Sequence, residues 1–266
     1  MCDRGNENEP KFDAEKARRA FDFAAAAYLK KPATCLDNAA PTFNVIINMS
    51  YHCSWITNCF VYLAVSKIEM KIVIAFRGTD TWVQMCEAGV KSLFKKNCKG
   101  AGEVHPYFHK AAIKVPQEIK EKLRNLLKSD KKYEIWLTGH SLGGAIASIF
   151  GLLLRKEKVI NDEQADRLYL YTFGSPRVGN YDFAQIHAFY LKNSFRIVYD
   201  SDPVPQIPPC NIWNPSRKCK GPFHKGHFYH HGIEVFYPYD MANLSAFNIC
   251  HKNDDHKGCS KKVLRF

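Results

Sequence analysis

The stretch that most constrains this chain is Tyr133-Glu-Ile-Trp-Leu-Thr-Gly-His-Ser-Leu-Gly-Gly-Ala-Ile-Ala-Ser148, which reads as buried strand, abrupt turn and helix. At the turn, Gly139-His140-Ser141-Leu142-Gly143 fits Gly-x-Ser-x-Gly, the nucleophile elbow that lifts a serine hydroxyl clear of a sheet edge. A side chain two residues before or after the serine would collide with the neighbouring strand or the turn, so glycine is expected at both places. The five-residue pattern alone is weak, since chance gives it to roughly one chain in ten of this length. Its surroundings strengthen it. An apolar run precedes it, and Ile146, Ile149, Phe150, Leu153 and Leu154 follow with helical period. Gly143, Gly144, Ala145 and Ala147 would let that helix lie close to the sheet, its positive end aimed at Ser141.

At 266 residues and 46% hydrophobic content the chain can bury a full core, and we read one domain over 1–266 with residues 1–10 as a flexible tail. No apolar run is long enough for a transmembrane helix, and the first ten residues lack the apolar core of a signal peptide. Ten cysteines without a Cys-x-x-Cys spacing point to disulfides rather than zinc. Local closures are Cys53 with Cys59, Cys86 with Cys98, Cys210 with Cys219 and Cys250 with Cys259. The sequons Asn48-Met-Ser50 and Asn243-Leu-Ser245 agree with an extracellular, secreted protein. The net charge of +12 raises nucleic acid as a partner, but no helix-turn-helix, zinc-finger or RNA-binding signature accompanies it and 26 acidic residues are interspersed. An anionic lipid surface or a solvated basic face fits the charge better.

Helical periodicity runs from a cap at Asp13 to about Leu29, with Ala17, Ala20, Phe21, Ala24 and Tyr28 on one face. The stretch 32–44 reads as turn-rich. Strands are expected over 59–65, 71–76, 168–173 and 195–199, and a helical pattern from Phe108 to Leu126 is kinked or restarted at Pro116. Strands alternating with helices give an α/β fold with a largely parallel sheet. Thr79, just past the strand 71–76, lies where a second oxyanion donor would stand. From Trp82 to Leu93 the apolar residues belong either to a buried helix or to a mobile amphipathic cover.

A serine nucleophile needs a histidine to take its proton and a carboxylate to hold that histidine. Asp200 and Asp202 follow the strand ending at Tyr199, and four prolines after Asp202 would fix its backbone. Downstream histidines are His224, His227, His230, His231, His251 and His256. The cluster from His224 to His231 fits no common zinc spacing, so no metal is expected.

These residues resemble the fungal-type (class 3) lipases, a branch of the α/β-hydrolases that includes triacylglycerol lipases and some feruloyl esterases. The matching segments are Ile74-Ala-Phe-Arg-Gly-Thr79, Val104-His105, Thr138-Gly-His-Ser-Leu-Gly-Gly144, Thr172-Phe-Gly-Ser-Pro-Arg-Val-Gly-Asn180, Asp202-x-Val-Pro-x-Ile-Pro-Pro209 and His230-x-Gly-x-Glu234. The resemblance implies an α/β-hydrolase with a mostly parallel central sheet and helices on both faces. It further implies nucleophile Ser141, acid Asp202, base His230, and oxyanion donors Thr79 and the Leu142 N–H. It places a lid at about 81–89, with Trp82, Val83 and Met85 as its apolar contacts. Cys86 inside it would tether the lid if paired with Cys98. It also suggests a bond from Cys35 to the C-terminal tail, in competition with Cys250 to Cys259. His231 stands as a rival base. The implied activity is hydrolysis of acylglycerol esters without a cofactor. A carboxylesterase for soluble or feruloyl esters, and an inactive binding scaffold, are the alternatives.

Overall fold

The computed structural model describes residues 10–53, 57–78, 96–209, 227–239, 241, 244 and 246–250. The helices are α1 (Ala14–Ala26), α2 (Pro32–Ala39), α3 (Pro106–Ile113), α4 (Gln117–Ser129), α5 (Leu142–Lys156), α6 (Asp162–Ala165) and α7 (Tyr181–Tyr190). The strands are β1 (Asn44–His52), β2 (Asn58–Ser66), β3 (Lys71–Phe76), β4 (Lys96–Asn97), β5 (Glu103–Val104), β6 (Glu134–His140), β7 (Leu168–Phe173), β8 (Asn193–Tyr199), β9 (Ile233–Tyr237) and β10 (Asn248–Cys250).

The main sheet has the order β1-β2-β3-β6-β7-β8-β9-β10. Pairing is parallel from β3 through β9 and antiparallel at both flanks. The parallel centre explains the near-continuous apolar runs Ile72–Phe76 and Ile135–Leu137, because both faces are covered. One face packs Ile72, Ile74, Ile135 and Leu137 against α3, α4 and α5; the other packs Val73, Ala75, Trp136 and Tyr171 against α1 and α2. Because the parallel strands share one direction, the ends of β3, β6, β7 and β8 open on a common edge, and there Ser141 emerges. Among the described residues no helix is long and apolar enough to cross a membrane.

The expected strands are present, with β2 and β8 slightly longer than their apolar runs. Two expectations are corrected, and the restart at Pro116 is borne out. Helix α1 ends at Ala26, and it buries Phe23 rather than Phe21, which is 44% exposed. Ala-rich α1 packs closely through Ala17, Ala20 and Ala24, and of the two phenylalanines between Ala20 and Ala24 it is Phe23 that turns inward. The stretch 32–44 contains α2, begun by Pro32 at its first turn, where a missing N–H costs nothing, and it is followed by β1, a strand the sequence reading did not place. Strand β1 alternates half-buried and exposed residues because only one of its faces meets the core. Pro116 stands before the first residue of α4, so the Phe108–Leu126 pattern is two helices.

Cys53 and Cys59 form a disulfide with Cα atoms 5.6 Å apart, tying the end of β1 to the start of β2. Cys98 is a buried free thiol and Cys35 is also free, so neither the Cys86–Cys98 closure nor the bond from Cys35 to the tail is formed. Cys98 sits in the tight Cys98–Gly102 turn, packed into the core, where burial pushes its thiol up to about 11. Cys250 is disulfide-bonded. Cys86, Cys210, Cys219 and Cys259 lie outside the described residues.

Candidate active site

Ser141 joins β6 to α5 with φ 55° and ψ −124°, a left-handed-side conformation that a serine adopts only when its surroundings enforce it. The enforcement is visible. Its N–H donates to the Phe173 carbonyl at 2.8 Å, and its own carbonyl accepts from Gly144 and Ala145 in the first turn of α5. A Cβ on Gly139 would lie 2.4 Å from the Gly143 carbonyl carbon, and one on Gly143 would lie 2.2 Å from the Phe76 carbonyl oxygen. Both elbow glycines are therefore demanded by close backbone approach. Leu142 is the first residue of α5, where backbone N–H groups have no intrahelical acceptor, so its N–H is available beside the serine.

The end of β3 comes to the same corner. Gly78 lies so near Ser141 that a Cβ on it would be 3.4 Å from the serine Cβ. Thr79 follows immediately but is outside the described residues, as are Trp82, Val83 and Met85.

Asp202 stands in the loop after β8. The Val204 N–H donates to its Oδ1 at 2.9 Å, while Oδ2 turns toward Gly174 and His140. Burial raises its pKa, an effect opposed by the Val204 N–H and by His140. The proline-rich loop is held by a residue that spacing did not reveal: Arg177 Nη1 donates to the carbonyls of Gln206 at 2.6 Å and Pro208 at 3.2 Å.

His230 is 3% exposed, and its Nε2 lies 2.8 Å from the Pro205 carbonyl, which makes Nε2 the protonated nitrogen. No hydrogen bond joins His230 to Ser141 or Asp202 among the described residues. Burial pulls its pKa well down, with Arg196 and Arg177 adding to the effect. His231 points elsewhere. Its Nε2 is 2.9 Å from Ser148 Oγ on α5, and its ring is 4.2 Å from that of His187 on α7. The motif glutamate has a structural reason: Glu234 pairs with Arg196 Nη2 at 3.1 Å, and Arg196 Nε holds the His231 carbonyl at 2.7 Å. This clamp fixes the histidine loop to β8. His105 caps α3, accepting from the Tyr107 N–H, and its N–H reaches the Val178 carbonyl, tying α3 to the loop after β7.

Sequence reasoning missed Tyr28, whose hydroxyl is 2.7 Å from His140 Nδ1. It also missed that Phe21, His140, Phe173, Ile197 and Asp202 line one cavity of about 340 Å³ at the sheet edge. The signal was two aromatics, Phe21 on and Tyr28 just past an otherwise alanine-rich helix, but only the position of α1 over β6 gives it meaning.

Residues 73–212 match the family model for class 3 lipases. A Caenorhabditis elegans lipase is 30% identical over 96% of this chain and 75% of its own length. The chain belongs to the class 3 lipases. This lipase is thus a carboxylic ester hydrolase resembling triacylglycerol lipases. A secreted mono- and diacylglycerol lipase of Fusarium solani is 33% identical over 58% of the chain, which spans 44% of that relative. Among solved structures, lipase II of Rhizopus niveus superposes with a TM-score of 0.77 at 22% identity, covering 95% of this lipase and 89% of that chain. A lipase of Rhizopus microsporus var. chinensis gives 0.76 at 23% identity, covering 99% and 90%. The lipase therefore has the α/β-hydrolase fold.

Proposed function

We propose that this lipase is a secreted enzyme that cleaves acylglycerol ester bonds through Ser141, Asp202 and His230. The observation that carries the reading is Ser141 itself, held at φ 55° between β6 and α5 with the Leu142 N–H and the end of β3 beside it. In the proposed cycle Ser141 Oγ attacks the acyl carbonyl, His230 takes the hydroxyl proton, and the alcohol leaves with that proton. Water then attacks the acyl-enzyme and releases the fatty acid. The Leu142 N–H and Thr79 stabilise the oxyanion, assisted by the positive end of α5. His230 reaches this role by exchanging its Pro205 contact, in line with catalytic hydrogen bonds that tighten only once substrate is bound. Asp202 orients the ring.

The named relatives favour acylglycerols as the substrate class: mono- and diacylglycerol for the Fusarium enzyme, and triacylglycerol for a Ricinus communis lipase 42% identical over 32% of the chain. Trp82, Val83 and Met85 supply an apolar cover for the acyl slot, and the net charge of +12 favours adsorption to anionic lipid surfaces, weakening as salt screens it. Secretion is supported by the Cys53–Cys59 disulfide and by the exposure of Asn48 in its sequon.

The test compares hydrolysis of short-chain, long-chain and feruloyl esters by the wild-type protein and Ser141→Ala. Preference for emulsified long-chain acylglycerol, abolished by Ser141→Ala, is expected. Equal rates on soluble and feruloyl esters, with no rise once substrate forms droplets, would reassign the enzyme to soluble esters.

A further inference from the structure

The residue between the first glycine and the nucleophile of the elbow is His140, and nothing in the proposed cycle uses it. Its ring is nonetheless held in a defined orientation. Nδ1 lies 2.7 Å from the Tyr28 hydroxyl, two residues beyond the end of α1. Nε2 is therefore turned toward Gly174. At that glycine, φ is 54°, and the place where a Cβ would stand is 2.5 Å from Asp202 Oδ2 and 3.6 Å from His140 Nε2. The carboxylate and the imidazole thus share the space that Gly174 leaves empty. A neutral imidazole has one N–H. If it faces the Asp202 carboxylate through Nε2, then Nδ1 must accept, and the Tyr28 O–H donates to it. Among the described residues no direct hydrogen bond joins Nε2 to the carboxylate, so His140 and Asp202 are coupled electrostatically across this space, while the Tyr28 O–H to Nδ1 bond fixes the ring.

Tyr28 has a second contact. A Cβ on Gly78 would be only 2.3 Å from the Tyr28 hydroxyl and 2.8 Å from the His140 carbonyl oxygen, so the tyrosine rests on the backbone that leads to Thr79. Such an approach is possible only at a glycine. The hydroxyl therefore touches both the strand end carrying the proposed oxyanion donor and the imidazole facing the proposed acid, although Tyr28 belongs to neither motif.

We propose that Tyr28 and His140 are a pair of positioning residues: the Tyr28 hydroxyl locks the His140 ring so that Nε2 steers the Asp202 carboxylate, and it braces the Gly78 backbone beside Ser141. The inference rests on the Ser141–Asp202–His230 reading. The pair acts on the reacting atoms only through Asp202 and the backbone after Gly78, so it governs the chemical step rather than substrate binding. Tyr28 is 38% exposed, and losing its hydroxyl removes no buried packing.

The experiment measures kcat, KM and thermal midpoint on a soluble short-chain ester for Tyr28→Phe, His140→Ala, His140→Gln, the Tyr28→Phe/His140→Ala double variant and Ser141→Ala. Loss of one hydrogen bond that matters to the transition state corresponds to a fall in kcat of about 3- to 10-fold. Tyr28→Phe is expected to show this fall with KM and thermal midpoint unchanged. His140→Ala should fall at least as far, and His140→Gln, which keeps an N–H donor, should recover part of the loss. The double variant should be slower than His140→Ala by less than the full Tyr28→Phe factor, because only the Gly78 brace is left to lose. An unchanged kcat in Tyr28→Phe, or additive losses in the double variant, overturns the pairing. Activity surviving in Ser141→Ala would instead overturn the catalytic reading beneath it, so the two failures are told apart.

Discussion

The two halves of the proposed catalytic machinery are held by different physics. Around Ser141 everything is backbone. Gly139, Gly143 and Gly78 admit close main-chain approach, the Phe173 carbonyl anchors the serine N–H, and α5 is buried all round. Around His230 the hold is by polar side chains, several of them reaching loop carbonyls. Arg177, Arg196, Glu234, Ser148, His187 and His231 form a polar layer between β8 and β9 on one side and α5 and α7 on the other. A corner built from main chain has one geometry, whereas a polar layer leaves its histidine free to exchange partners. The proposed nucleophile is therefore preorganised, whereas the proposed base is bonded to the Pro205 carbonyl.

The sharpest way to break the contrast is at its chemical ends. Ser141→Ala should lower kcat on any ester by 10³ or more, with the thermal midpoint unchanged or raised, since a strained nucleophile corner gains little from the hydroxyl. His230→Ala should fall by a similar order without adding to Ser141→Ala. His231→Asn should lose stability while its kcat stays within about tenfold of wild type, because His231 bonds to Ser148 inside the polar layer. Steady-state kinetics paired with thermal melts decides between the two histidines. A dead His231→Asn beside an active His230→Ala would exchange their roles.

The elbow half predicts a steric outcome. Gly143→Ala puts a Cβ 2.2 Å from the Phe76 carbonyl oxygen, and β3 has no room to retreat within a sheet paired on both sides. Destabilisation of about 3 kcal/mol in urea unfolding is expected, with activity lost. Gly100→Ala is the control: its φ is 72° but nothing lies within 4 Å, so it should cost about 1 kcal/mol from backbone strain alone.

How much was legible divides along the same line. Strict backbone sterics leave a mark in sequence, so the Gly-x-Ser-x-Gly corner and the parallel strands around it could be read directly from residue order. The proline run after Asp202 was legible for the same reason. The histidine layer was not, because its members come from α5, α7, β8 and the loop before β9, and only the fold brings Ser148, His187, Arg196 and His231 together. Tyr28 escaped for a subtler reason. Its position fits the periodicity of α1, which ends before it, so an aromatic assigned to packing in fact carries its hydroxyl to His140. Strand β1 was missed because Ile46, on its exposed face beside the bulge between Val45 and Ile47, breaks the apolar–polar alternation that marks a half-covered strand.

The last prediction separates the halves by pH. His187 is fully buried, and burial pushes its pKa down to about 3; His230 and His231 are held well below the ordinary histidine value by burial and by neighbouring Arg196. The unfolded chain protonates these groups near 6.5. Between that value and the lowered folded values the unfolded state binds more protons, so stability is full above about pH 7 and falls as the solution is acidified. For His187 alone the difference at pH 5 is about 2 kcal/mol. His187→Phe removes a titrating group that faces His231, Phe183 and the α5 side of the polar layer, and adds no charge. Relative to wild type, its urea midpoint should therefore rise between pH 8 and pH 5, whatever cost or gain in packing it shows at pH 8. Ser141→Ala, on the backbone-built side, should show the same pH dependence as wild type. If His187→Phe and wild type lost stability in parallel on acidification, the histidine layer would not be what makes this half of the site acid-labile, and the contrast would rest on sterics alone.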